Sequence, residues 1–116
     1  MITRHEPSSI YHGVVRHGDT LYVAGTTADD HTLDMAGQAR QVFAKIEKLL
    51  NKCGSDKNHI LAATIFVTDI KAKAQMNPVW TEWLPKAALP TRATIGINDL
   101  GEGVLIEVVV TAAVKS

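Results

Sequence analysis

The spacing of apolar residues changes period several times along this chain, and each change marks an element. In IYHGVVRHGDTLYVAG two short β-patterned runs, Ile10–Arg16 and Thr20–Gly25, flank His17-Gly18-Asp19, which can supply the positive φ of a tight connection; a hairpin is predicted. From Met35 the period lengthens. Met35, Ala39, Val42, Phe43, Ile46, Leu49 and Leu50 recur at helical spacing with Gln38, Lys45, Lys48 and Lys52 opposite, which predicts an amphipathic helix. Asp34 is placed to cap its N-terminus, Lys48 and Lys52 suit the negative end of its dipole, and Gly54 is placed to end it in the left-handed conformation. Ile60–Asp69 has the β-branched, apolar run of a central strand. A second helix is predicted from Met76, Val79, Trp80, Trp83 and Leu84, starting late or kinking at Pro78. TRATIGIN and VLIEVVVTAAV read as two more strands, joined by the turn-forming Asp99-Leu100-Gly101-Glu102-Gly103.

The order β-β-α-β-α-β-β predicts an α+β fold, with right-handed crossovers placing both helices on one face of a single mixed sheet. The last strand then raises a difficulty. Val104, Ile106, Val108, Val110, Ala112 and Val114 point one way, but Leu105, Val109 and Ala113, also apolar, point the other. Two helices can hide only one face, and a solvated face should alternate with polar residues. The simplest missing cover is another copy of the chain.

Composition narrows the function classes. The chain has 116 residues, room for one domain, 1–116, and not for two. Lys+Arg 12 balances Asp+Glu 12, so no basic surplus exists to release counterions from a phosphate backbone, and neither nucleic acid nor an anionic membrane is an expected partner. No apolar run approaches 18 residues, Cys53 stands alone, and MITRHEPSSI lacks the apolar stretch of a signal peptide, so a cytoplasmic location is expected. The histidines His5, His12, His17, His31 and His59 show no metal-ligand spacing, and no metal site is expected. Cys53, near a helix end, reads as a packed or half-exposed thiol rather than a nucleophile.

Glu107 is the exception on the last strand, a carboxylate between Leu105 and Val109. A carboxylate on an apolar face needs a partner: it either closes an ion pair or holds and activates water in a cleft. Arg92, after Pro90-Thr91 where a strand leaves a loop, is a donor fork suited to a carboxylate ligand, a surface cation, or the partner of Glu107. Tyr22 reads as core, whereas Tyr11, beside His12 and Gly13, reads as more open. Asn77, just before Pro78, reads first as a helix cap and second as a ligand-binding residue.

The ordered set IYHGVVRHGDTLYVAGTT, ILAATIFVTDI, LPTRATIGI and VLIEVVVTAAV resembles the RidA/YjgF family of enamine/imine deaminases over nearly the whole chain. The pairing of Arg92 in Leu89-Pro90-Thr91-Arg92 with Glu107 in Ile106-Glu107-Val108 carries most of the likeness. Ala62-Ala63-Thr64-Ile65-Phe66, Met76-Asn77 and Trp80 through Trp83 make the chain look most similar to the YoaB-like branch. The resemblance implies a chorismate-mutase-like fold and a homotrimer whose sheets line a central barrel, burying the second face. It implies three clefts between subunits in which Arg92 binds the carboxylate of a small imino acid and Glu107 positions water against the C=N carbon, giving a 2-oxo acid and ammonia. No cofactor is implied, because an iminium is already electrophilic. Tyr11 and Asn77 match residues at the family's cleft, and Gly25, Thr26 and Thr94 fall beside them. Two departures bear on substrate range: Ala24-Gly25-Thr26 stands where typical members have Ser-Gly-Gln, so Thr26 or Thr27 would replace a hydroxyl, and Thr94 stands where many have cysteine. A non-catalytic protein that captures small carboxylates such as 2-oxo acids in the same cleft is the alternative. Zero charge and an aromatic content of 5% argue against a ribonuclease or translation-inhibitor role sometimes attached to the family.

Overall fold

The computed structural model describes all of residues 1–116. Its strands are β1 (Ile2–Pro7), β2 (His12–His17), β3 (Thr20–Val23), the two-residue β4 (Thr26–Thr27), β5 (Ile60–Val67), β6 (Thr91–Gly96) and β7 (Ile106–Ala113). The helices are α1 (Met35–Lys52) and α2 (Lys73–Trp83). The strands form one seven-stranded sheet in the order β1-β2-β3-β7-β5-β6, with β4 also pairing β7. β3 and β5 are both antiparallel to β7, so they are parallel to each other with β7 inserted between them. The β5–β6 pair is parallel, as its crossover through α2 requires. The α+β expectation with a mixed sheet holds, and β1 extends it: ITRHEP adds an antiparallel edge strand to β2 that the apolar pattern had not marked.

The caps act locally as their residue types dictate. Asp34 accepts from the Gly37 amide at 2.9 Å, satisfying one of the free donors at the start of α1. At the other end Gly54 takes φ +83, and the Ser55 amide reaches back to the Leu50 carbonyl at 2.9 Å, closing the last turn. Of the predicted stripe, Met35, Ala39, Val42, Phe43, Ile46 and Leu50 lie in the core and Leu49 is half-buried, but Gln38, expected on the polar face, is fully buried among them, its amide hydrogen-bonded to the Leu33 and Gly103 carbonyls and the Leu105 amide. The apolar residues of the stripe pack on the sheet and on α2. They face Ile65, Val67, Ile106, Val108, Val110 and Ala112 from the centre of the sheet and Met76, Val79 and Trp80 from the second helix. The second helix does not start late. It begins at Lys73 and runs through Pro78, which forgoes one backbone bond.

Side chains alternate along β7 as expected, with Ile106, Val108, Val110 and Ala112 buried and Glu107, Val109, Thr111 and Ala113 half-buried. Register extends the second set into an open face holding Ile2, Val15, Tyr22, Phe66, Val109 and Ile95. Tyr22 is therefore not core. It is 50% exposed on this face, because β3 turns Leu21 and Val23 toward the helices instead. No helix of the chain covers this face, and none is long and apolar enough to cross a membrane.

Candidate functional site

The sequence-predicted residues fall into two groups, one around Arg92 and one around β4 and Glu107. The first lies at the β6 edge beneath α2. Ala63 on β5 is in register with Arg92 on one side and Val110 on the other, so all three point toward the helices. There the Arg92 guanidinium donates from Nε to Thr94 Oγ1 at 3.0 Å and from Nη2 to Asn77 Oδ1 at 2.7 Å. Its Cζ lies 5.2 Å from the centroid of a Trp80 ring, within cation–π reach. Every one of these partners is neutral, and Arg92 makes no ion pair with any carboxylate of the chain. Of five N–H donors, two are committed, leaving both on Nη1 and one on Nη2 for a ligand. Burial pulls the guanidinium below its ordinary value, and it stays charged at neutral pH.

Asn77 is corrected by this geometry. It sits inside α2 rather than at its N-cap, and its side chain accepts from Arg92. Trp80 is the residue the apolar pattern assigned to the core alone. The available signal was the spacing Asn77-x-x-Trp80, which puts both side chains on one helix face.

The second group lies around β4, with Glu107 on the open face and Thr26, in register with the buried Val108, turned toward the helices. Phe66 is in register with Glu107 and with Ile95, and Phe66 stands three residues from Ala63, so Glu107 points opposite to Arg92. On its other side Glu107 pairs with Thr27 of β4. Its carboxylate lies against the Gly25 backbone: a Cβ built on Gly25 would fall 2.0 Å from Oε2 and 3.0 Å from Cδ. Glycine at this position is what lets the carboxylate lie there. No hydrogen bond or ion pair within the chain engages it. Gly25 and Thr26, together with Tyr11, also line a hollow of about 310 Å³ that includes Glu6, Ser8, Thr27 and Lys45. Tyr11 is 55% exposed at its rim, on a turn in which the Ser8 hydroxyl accepts from the Tyr11 amide at 3.0 Å and donates to the Tyr11 carbonyl at 2.8 Å. Thr26 is buried, and its hydroxyl is turned to the Ala24 carbonyl at 3.2 Å, which leaves Thr27 the more open of the two threonines. Lys45 fixes the segment from α1, donating to the Thr27 carbonyl at 2.7 Å and to Asp29 at 2.8 Å. Its position on the polar stripe of α1 gave no sign of this.

Arg92 and Glu107 therefore do not meet within one chain. Three residues along β7 and two strand spacings separate them, about 14 Å between Cα atoms, with the sheet between their side chains. A direct ion pair between them inside the chain is excluded. A second hollow of about 280 Å³, between α1 and α2, is lined by Arg40, Phe43, Val79 and Trp83 among others and contains none of the predicted residues.

Sequence relatives agree with this architecture. A family model described as Endoribonuclease L-PSP matches residues 1–114. A RutC family protein of Haemophilus ducreyi is 32% identical over 115 residues, 99% of this chain and 98% of that one. The RutC family protein YoaB of Escherichia coli is 33% identical across 97% of this chain and 98% of its own. The chain belongs to the RutC/YjgF family. Among solved structures, an uncharacterized protein from Pseudomonas aeruginosa superposes with a TM-score of 0.94 at 32% identity, covering 99% of this chain and 100% of that one. A YjgF family member from Neisseria meningitidis gives 0.93 at 27% identity, covering 100% and 97%. The chorismate-mutase-like fold expected for a YjgF protein is thus the fold observed.

Proposed function

We propose that this YjgF protein hydrolyses small, reactive 2-imino and enamino acids to 2-oxo acids and ammonia, in clefts formed where copies of the chain meet. The observation that carries the reading is the guanidinium of Arg92: partly buried, held by neutral acceptors only, and left with three donors and no carboxylate. A bidentate carboxylate ligand completes such a group. Glu107, unpaired on an apolar open face, is its counterpart. Since one chain holds them about 14 Å apart on opposite faces, the cleft takes Arg92 from one copy and Glu107 from a neighbour, and the open face supplies the apolar contact between them. A homotrimer arranged as in the family meets this requirement.

In the reaction, Arg92 fixes the substrate carboxylate while Glu107 accepts a proton from water as its oxygen bonds to the C=N carbon. Glu107 returns that proton to the carbinolamine nitrogen, and the C–N bond then breaks as the hydroxyl proton passes to Glu107, releasing ammonia and the 2-oxo acid. Orientation of substrate and water supplies much of the acceleration, and one carboxylate serves as base and then acid. 2-Aminoacrylate released by pyridoxal-phosphate enzymes, an enamine, enters these steps once a proton from solvent adds to its C3 and makes the C=N bond of 2-iminopropanoate. Neither cofactor nor metal enters the steps.

A second reading has its own support: the carboxylate-binding half is complete within one chain, so a small-carboxylate sensor needs nothing from Glu107. The family model's name points instead to RNA cleavage, against which zero net charge argues. The test is a coupled assay of 2-oxo acid and ammonia release from imines generated in situ from several amino acids. Arg92→Ala abolishes both turnover and pyruvate binding on the deaminase reading, whereas Glu107→Gln lowers turnover and keeps binding. Pyruvate binding with no turnover by the native protein favours the sensor, and unchanged activity in Arg92→Ala ends the role given to Arg92.

A further inference from the structure

We propose that Trp80 is a positioning residue that sets how tightly the site holds a carboxylate, by holding the plane of the Arg92 guanidinium while Asn77 and Thr94 hold its edge. The proposal rests on the reading that Arg92 binds the substrate carboxylate. An arginine side chain loses considerable rotamer freedom when it is fixed, and a fork that is already fixed in the free protein spares the ligand that loss. Two edge hydrogen bonds, through Nε and Nη2, still permit rocking about the line joining them. A surface against the flat side of the group removes that motion. Trp80 is placed to supply such a surface: Cζ lies over its ring, 5.2 Å from the centroid, and Trp80 is itself only 5% exposed.

The aromatic support continues behind it. Trp80 meets Phe43 of α1 edge-on at 5.6 Å and Trp83 at 6.0 Å, while Trp83 stacks on Phe43 at 4.6 Å with the rings 2° from parallel. Trp83 Nε1 donates to Glu47 at 2.8 Å, so the far end of the cluster is fixed to α1 by a hydrogen bond. Arg92 is thus held from β6 by Thr94, from α2 by Asn77 and Trp80, and through Trp80 from α1. A neutral clamp leaves the positive charge uncancelled for the ligand, which a carboxylate partner in the same place would not.

Two substitutions separate a π surface from mere bulk. Trp80→Phe keeps an aromatic face under the guanidinium, and Trp80→Leu keeps apolar volume without one. The expected result is a rise in KM and in the pyruvate Kd of roughly three- to thirtyfold for Trp80→Leu, with kcat nearly unchanged, and recovery of most of the loss in Trp80→Phe. A purely structural Trp80 would give parallel losses in both variants that track their melting temperatures, and that result overturns the proposal. A measurement leaving residue 80 intact guards against misfolding of the variants. In Trp83→Phe protein, Trp80 is the sole tryptophan, and pyruvate titration is expected to change its fluorescence, with Arg92→Ala removing the response and shifting the starting emission. An emission indifferent to Arg92→Ala overturns the proposal even if pyruvate binds. Pyruvate binding that survives Arg92→Ala overturns the functional reading instead, and is recognised as such because it is seen without touching residue 80.

Discussion

Gly25→Ala tests the link between backbone and chemistry most directly. Gly25 has no positive φ, so alanine suits its backbone, and the added methyl has one serious conflict: Glu107 Oε2 at 2.0 Å, followed by Cδ at 3.0 Å and Cγ at 3.3 Å. These atoms belong to a flexible side chain, so the carboxylate rather than the strand gives way, retreating by about 1.4 Å or more to reach ordinary contact. A displaced rotamer costs about 0.5–1.5 kcal/mol, offset by about 0.4–1 kcal/mol from the reduced entropy of the unfolded chain. The net stability change is therefore within about 1 kcal/mol, or roughly 4 °C in Tm for a domain of this size. Misplacement of a reacting group by about 1 Å costs up to about a hundredfold in rate. The variant is expected to melt almost as the native protein does, bind pyruvate normally through Arg92, and hydrolyse imines about a hundredfold more slowly. A double-mutant cycle with Glu107→Asp isolates the cause, since the shorter carboxylate avoids the methyl and Gly25→Ala should then add little further loss. Native-level turnover in the single variant refutes the role of Glu107, and a fall in Tm beyond about 10 °C refutes the claim that only a side chain must move.

Other expectations follow from the same contacts. Gln38 is fully buried and saturated, donating to the Leu33 and Gly103 carbonyls at 3.0 and 2.8 Å and accepting from the Leu105 amide at 2.9 Å; Gln38→Leu strands those groups and should cost about 2–4 kcal/mol, lowering Tm by about 8–16 °C, and a drop under about 3 °C would contradict it. The Asp56 carboxyl is held below its ordinary 3.8, chiefly by its hydrogen bond to His59, so its stabilisation is present above that value and is lost as pH falls through the lower folded one. Thermal melts should accordingly run parallel for the native protein and Asp56→Asn down to about pH 4 and fall more steeply for the native protein below it, and curves that stay parallel there would dismiss the contribution. Val109→Asp places a charge on the open face without touching the helix-side core, so sedimentation should report a smaller species than for the native chain if copies meet there; an unchanged size would exclude that face as the contact.

Much of this was legible wherever a local pattern had a single physical solution. The Asp34 cap and the Gly54 stop are each decided within a few residues, and both stand; the stripe on α1 stands except for Gln38, a polar residue that helical spacing placed opposite the core and that buried carbonyl and amide partners draw into it. The two-faced apolar character of β7 likewise needed only its own parity. Edge strand β1 escaped because it pairs on one side only and most of its residues stay exposed, so its polar and apolar residues follow no core-driven alternation. Tyr22 was misassigned for a related reason: parity put it opposite Leu21 and Val23 but could not say which set met the helices. Asn77 resembled a cap because proline often follows one, yet α2 had already begun at Lys73. Glu107 stands out in the sequence as a charge among apolar neighbours, and Arg92 as a guanidinium where a strand leaves a loop. Their placement on opposite faces depends on the register of β5 with both β6 and β7, and register between distant strands is a property of the assembled sheet.

That separation has a genetic consequence. On the proposed reading each chain lends Arg92 to one cleft and Glu107 to another, so a chain damaged at either residue still carries a sound version of its counterpart. Two differently damaged chains, one Arg92→Ala and one Glu107→Gln, hold between them everything a cleft needs, and a mixed assembly regains a working site that neither pure population contains. A chain damaged at both residues has nothing to lend.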